Sequence, residues 1–92
     1  MDFILSDNVK VRYSKGERRI FAALNSKKRA HTEEVLNAIY GRGGSPFHGR
    51  QIVLGSLNSL LKKIDVNREK FRLRKGERSG PYSIEWWLEK RK

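Results

Sequence analysis

From Arg50 to Ile64 the apolar residues Val53, Leu54, Leu57, Leu60, Leu61 and Ile64 return at intervals of three and four. That spacing gathers them on one face of an α-helix, so the segment predicts a helix whose stripe has to be buried against other elements. One such helix makes one wall of a core, and the rest of the chain must supply the others. With 92 residues there is room for a single domain, 1–92, around one modest core. The sequence has no cysteine. Neither disulfides nor thiolate metal sites can therefore substitute for packing, and a reduced, cytoplasmic setting is the default expectation. No apolar run approaches the roughly 18 positions of a bilayer span, and no secretory leader is visible.

The other walls can be read by changes of period. Phe3-Ile4-Leu5, a turn at Ser6-Asp7-Asn8, and Val9, Val11 and Tyr13 alternating with Lys10 and Arg12 predict two short strands within residues 1–13. Ser14 and Glu17 then have the S-x-x-E spacing of a capping box, which starts a first helix over Lys15–Asn25 that buries Ile20, Phe21 and Leu24. After a polar connection from Ser26 to His31, Thr32 is the expected N-cap of a second helix, with Glu33 and Glu34 at its positive end and Val35, Leu36, Ile39 and Tyr40 as its stripe. Four glycines and Pro46 make Gly41–Gly49 a loop, with Phe47 as its anchor on the core. Residues 14–64 thus form a three-helix block.

Residues 70–89 read as a hairpin: Phe71 and Leu73 alternate with Arg72 and Arg74, a loop runs from Lys75 to Pro81, and Tyr82, Ile84, Trp86 and Leu88 alternate with Ser83, Glu85, Trp87 and Glu89. Trp87 falls on the polar side of its strand, where it either covers an N-terminal strand or enters a dimer contact. The whole order predicts an α+β fold in which three helices sit against antiparallel sheet.

The formal charge of +11 calls for a polyanionic partner. It is uneven: residues 1–40 hold 8 Lys or Arg against 5 Asp or Glu, whereas residues 41–92 hold 13 against 5. Catalytic groupings are hard to assemble. His31 and His48 fall in separate predicted loops without cysteines to complete a metal site, Glu33 and Glu34 suit helix capping, and Gly41-Arg42-Gly43-Gly44-Ser45 lacks the spacing of a nucleotide-phosphate loop. No enzymatic role, cofactor, metal or small-molecule substrate is expected.

Nucleic acid fits better. Opposite its apolar stripe the third helix carries Arg50, Gln51, Ile52, Gly55, Ser56, Asn58, Ser59, Lys62 and Lys63, a small, polar and basic face with no acidic residue before Asp65. Such a helix can enter the major groove of double-stranded DNA, where Gln51, Asn58 and Ser59 can read base edges and Ile52 can touch a thymine methyl. The hairpin adds Arg72, Arg74, Lys75 and Arg78, with Arg78 at a loop tip suited to a narrow minor groove. Thr32 at a helix start is a candidate phosphate contact. The alternative is the same fold used as an RNA-binding or protein-interaction module, since fold alone does not determine function.

Several motifs in order resemble the DNA-binding effector domain of OmpR/PhoB-type response regulators. Tyr13-Ser14-Lys15-Gly16-Glu17 is similar to that family's L-T-x-x-E, and Thr32-Glu33-Glu34-Val35-Leu36 with Ile39-Tyr40-Gly41 is similar to its V-S-R-E-x-L and V-W-G. Ser56 to Ile64 parallels the end of its recognition helix, and Arg78, four residues before Tyr82, stands where it places a wing arginine. The resemblance implies a winged helix-turn-helix with a short N-terminal antiparallel sheet and a C-terminal wing. It also implies transcriptional regulation at the nucleoid, with RNA polymerase or a second copy of the chain as further partners. Leu61, Pro81, Ser56, Asn58 and Ser59 depart from the family's usual residues, so a target sequence does not carry over.

Overall fold

A computed structural model of the chain describes residues 3–27, 29–41, 49–76 and 84–91. In chain order it holds helix α1 (Lys15–Ser26), strand β1 (Ala30–His31), helix α2 (Thr32–Tyr40), helix α3 (Gly49–Val66), strand β2 (Phe71–Lys75) and strand β3 (Glu85–Lys90). The strands form one antiparallel sheet in the order β1-β3-β2. The described residues thus make a small α+β domain of three helices and a three-stranded antiparallel sheet.

The first two helices start where side chains satisfy unpaired backbone donors. At α1 the Glu17 N–H donates to Ser14 Oγ at 3.1 Å, and the Ser14 N–H donates to Glu17 Oε1 at 2.6 Å, which completes the expected capping box. At α2 the cap lies one residue earlier than expected. His31 is the N-cap, and its N–H donates to Glu34 Oε1 at 3.1 Å. The reason is in the spacing, because Glu34 stands three residues after His31, whereas the third residue after Thr32 is Val35. Gly41 ends α2 with φ +76°, a conformation that costs glycine little, and its N–H donates to Asn37 O at 2.8 Å.

The core lies between the helices and the inner face of the sheet. Ile20, Phe21 and Leu24 of α1, Val35 and Leu36 of α2, Val53, Leu57, Leu60 and Ile64 of α3, Phe71 and Leu73 of β2, and Trp86 of β3 are all buried. Leu54 and Leu61, on the margins of the α3 stripe, are half-buried against it. Phe71 sits between two rings, its centroid 5.1 Å from Phe3 and 5.5 Å from Phe21.

Three expectations are corrected here. Residues 3–14 form no strand. Their backbone is held by side chains instead of a ladder: Asn25 accepts from the Phe3 N–H at 2.9 Å and donates to Phe3 O at 2.7 Å, and Asn67 does the same for Val11 at 2.8 Å each way. Between them the buried Glu69 carboxylate accepts from the Ser6 N–H (3.1 Å), the Ser6 hydroxyl (2.6 Å) and the Tyr13 hydroxyl (2.6 Å). Burial, with the neighbouring Glu69 charge, pushes the Tyr13 phenol above its ordinary range, so it stays a donor. Second, the connection before α2 contains β1, whose Ala30 and His31 pair with Trp86 and Glu85. Two residues show no alternation, and the partner is more than fifty positions away. Third, Trp87 covers no N-terminal strand, since residues 3–14 form none. It lies half-exposed on the outer face of the sheet, with the Arg29 guanidinium 4.4 Å from its ring centroid and its edge across Gly76, where a Cβ would come within 3.2 Å. The expectations for Pro46, Phe47, His48, Arg78, Pro81, Tyr82 and Ser83 lie outside the described residues.

Candidate nucleic-acid interface

The exposed side of α3 is built by the same periodicity that builds its buried side. With Val53, Leu57, Leu60 and Ile64 turned inward, Arg50, Gln51, Ile52, Gly55 and Lys62 are exposed, and Ser56, Asn58, Ser59 and Lys63 are half-buried at its margins. These residues are not equivalent. Arg50 forms an ion pair with Glu33 in the first turn of α2, tying together the N-terminal ends of the two helices. Asn58 donates from Nδ2 to Leu54 O at 3.0 Å, one helical turn back, and its Oδ1 accepts from Lys75 Nζ at 3.5 Å. The side chains of Gln51, Ser56 and Lys62 make no hydrogen bond or ion pair among the described residues.

Lys63, half-buried, is engaged within the fold. Its ammonium donates to Glu17 Oε1 at 2.7 Å and to Arg12 O at 3.0 Å, with the Glu17 side chain 3% exposed. Burial by itself would raise the Glu17 carboxyl, but the Lys63 ammonium, the Ser14 N–H and the Ser59 and Ser14 hydroxyls outweigh it and hold the pKa down at about 2. Lys63 is thus a clamp between α3 and the start of α1. The same clamp brings the Arg12 backbone to the C-terminal half of α3, and the Arg12 side chain is exposed without an ion pair among the described residues. Nothing in the sequence pattern links Arg12 to α3. The available signal is the basic character of residues 10–15, which by alternation alone reads as a strand face and a helix start.

The hairpin cations divide between two faces of the sheet. The register Arg72↔Glu89, Arg74↔Trp87 and Lys75↔Trp86 alternates sides. Lys75 shares the side of the buried Phe71 and Leu73, lies 5.9 Å from the Trp86 ring centroid, and emerges beside Asn58. Arg72 and Arg74 point to the opposite side, where Arg74 pairs with Glu89 at 3.5 Å. Only Lys75 of these three therefore continues the α3 surface, and Arg78 lies outside the described residues.

Thr32 requires a correction. It is the first helical residue and is fully buried, its N–H donates to Ile84 O at 3.1 Å, and its hydroxyl accepts from the Trp86 indole at 3.0 Å and reaches Ile84 O at 3.5 Å. No donor on it is left for a phosphate. A threonine at a helix start is ambiguous in sequence because burial, not spacing, decides which way its hydroxyl points.

Among the described residues no group of three His, Asp or Glu is placed to hold a metal ion, and no helix is long and apolar enough to cross a membrane. No protein-family model, curated protein or solved structure matches the chain.

Proposed function

We propose that this chain is a winged-helix module that binds double-stranded DNA in a sequence-specific manner and serves transcriptional regulation, with α3 in the major groove and the β2–β3 hairpin beside it as the wing. The carrying observation is the exposed side of α3. Gln51, Ser56 and Lys62 are uncommitted among the described residues, Gly55 carries no side chain, and Lys75 of the hairpin joins the same surface. Polar groups not engaged within the protein retain their donors and acceptors for base edges, and a small face allows the helix backbone to approach them. The +11 charge supplies the sequence-independent attraction to phosphate.

The reading covers a binding module without catalysis, cofactor or small-molecule substrate, working at the nucleoid. RNA polymerase or a second copy of the chain are further partners of such a regulator. Residues 3–14, held by side chains in place of a strand ladder, differ from the N-terminal sheet of OmpR/PhoB-type domains. The proposal is accordingly for the winged-helix class and does not require that family. Selection from a pool of random duplexes tests it: a defined site should be enriched, and Gln51→Ala should lose about 1–3 kcal/mol on that site and little on random duplex. Equal losses on both, or stronger retention of duplex RNA than of DNA, would sink the reading.

A further inference from the structure

Ile52 is the one large apolar side chain on the described part of α3 before its last turn that faces solvent, at 51% exposure. The fold does not use it, since its neighbours Val53, Leu57 and Leu60 complete the core without it. Among the described residues nothing on the next turn shields it either. One turn on, at the i+3 position, stands Gly55, where a Cβ would meet no atom within 4 Å, and at i+4 stands the small Ser56. Gln51, the adjacent exposed residue, carries both a donor and an acceptor and has no partner among the described residues. The first turns of α3 therefore present one apolar contact and one amide side by side on a surface whose other groups are polar or cationic.

In the major groove the apolar feature that distinguishes one base from the other three is the 5-methyl group of thymine, and the partner adenine presents an acceptor and a donor that an amide can meet together. We infer that Ile52 is a specificity-determining residue that reads a thymine methyl, with Gly55 leaving the helix room to bring it there. This rests on the proposed major-groove binding and adds the base chemistry that the site selects. A lone exposed isoleucine on a protein-docking surface would instead be indifferent to the base.

Deoxyuridine differs from thymidine by that methyl alone, so the pair isolates the contact. Sites are first enriched from random duplexes by the full chain, and each thymine of the enriched site is then replaced singly by deoxyuridine. At one position the wild-type chain should lose about fourfold in affinity, the value of one buried methyl-sized group. Ile52→Ala should bind the thymidine and deoxyuridine duplexes equally. Because a misfolded variant would also bind both duplexes equally, Ile52→Ala must melt at the wild-type temperature, as a substitution at an exposed position should. The inference is overturned if no thymine position is sensitive in the wild-type chain, or if Ile52→Ala keeps the full difference. Absence of any enriched site would overturn sequence-specific binding itself, an outcome distinct from enrichment of a site indifferent to the methyl.

Discussion

At the residue scale, Glu17 does two jobs with one carboxylate. It closes the α1 capping box through Ser14 and accepts the Lys63 ammonium, so it joins a local signal to a long-range one. Its folded pKa of about 2 lies below the ordinary 4.5. A depressed carboxylate contributes stability that is fully present above the unfolded value and is lost as pH falls toward the folded one. Glu17→Gln should therefore destabilise the protein at pH 7 by about 2–3 kcal/mol, toward the lower end for a broken pair because the Lys63 side chain is 25% exposed. The deficit should shrink as pH falls from about 4.5 toward about 2, where half of the wild-type carboxyl is itself protonated. Denaturant midpoints at several pH values measure this, and a deficit that stays constant down to pH 2.5 contradicts the assignment. Gly55 is the opposite kind of residue, since nothing in the fold asks for it. Its Cβ position is open, and glycine within a helix is about 1 kcal/mol worse than alanine. Gly55→Ala should raise the melting temperature by a few degrees and weaken binding to the enriched duplex. A stabilised variant with undiminished affinity would show that α3 is not approached closely there.

Between elements, the decisive relation is that of the β2–β3 hairpin to α3. A strand's two-residue period sends neighbouring side chains to opposite faces, so Arg74 and Lys75 serve different surfaces although they are adjacent. Lys75 reaches Asn58 of α3, and Arg74 pairs with Glu89 on the outer face. Lys75→Ala should weaken duplex binding across sequences and reduce the salt slope by about one, the effect of one lost phosphate contact. Arg74→Ala should change both far less, and its exposed ion pair is worth at most about 1 kcal/mol to stability. Affinities measured at two salt concentrations decide the matter, and equal effects of the two substitutions would place the binding surface elsewhere. The hairpin also shows why four cations that stand close in sequence do not make one patch.

For the whole molecule, the net charge of +11 predicts strongly salt-dependent association with duplex DNA. If about five to eight phosphates are neutralised, log K should fall with log salt at roughly −0.9 per phosphate. A flat dependence between low and physiological salt would remove the electrostatic part of the proposal. Part of this charge is already engaged within the fold: among the described residues Lys27, Arg29, Arg50, Lys63, Arg74 and Arg91 each pair with a carboxylate. What the sequence determined by itself was whatever a local period or cap encodes. The α1 capping box, the apolar stripe of α3 and the alternation through Phe71 and Leu73 can each be read within a dozen residues, and each is where it was expected. Tertiary structure alone decided the rest. The β1 strand exists because β3 offers it an edge, Thr32 turns inward because Trp86 supplies a donor, and residues 3–14 forgo a ladder because Asn25, Asn67 and Glu69 satisfy their backbone. In each case a buried or paired polar group takes whichever partner the fold brings within reach, and that partner lies 22 to 63 positions away, too far for any local pattern to record.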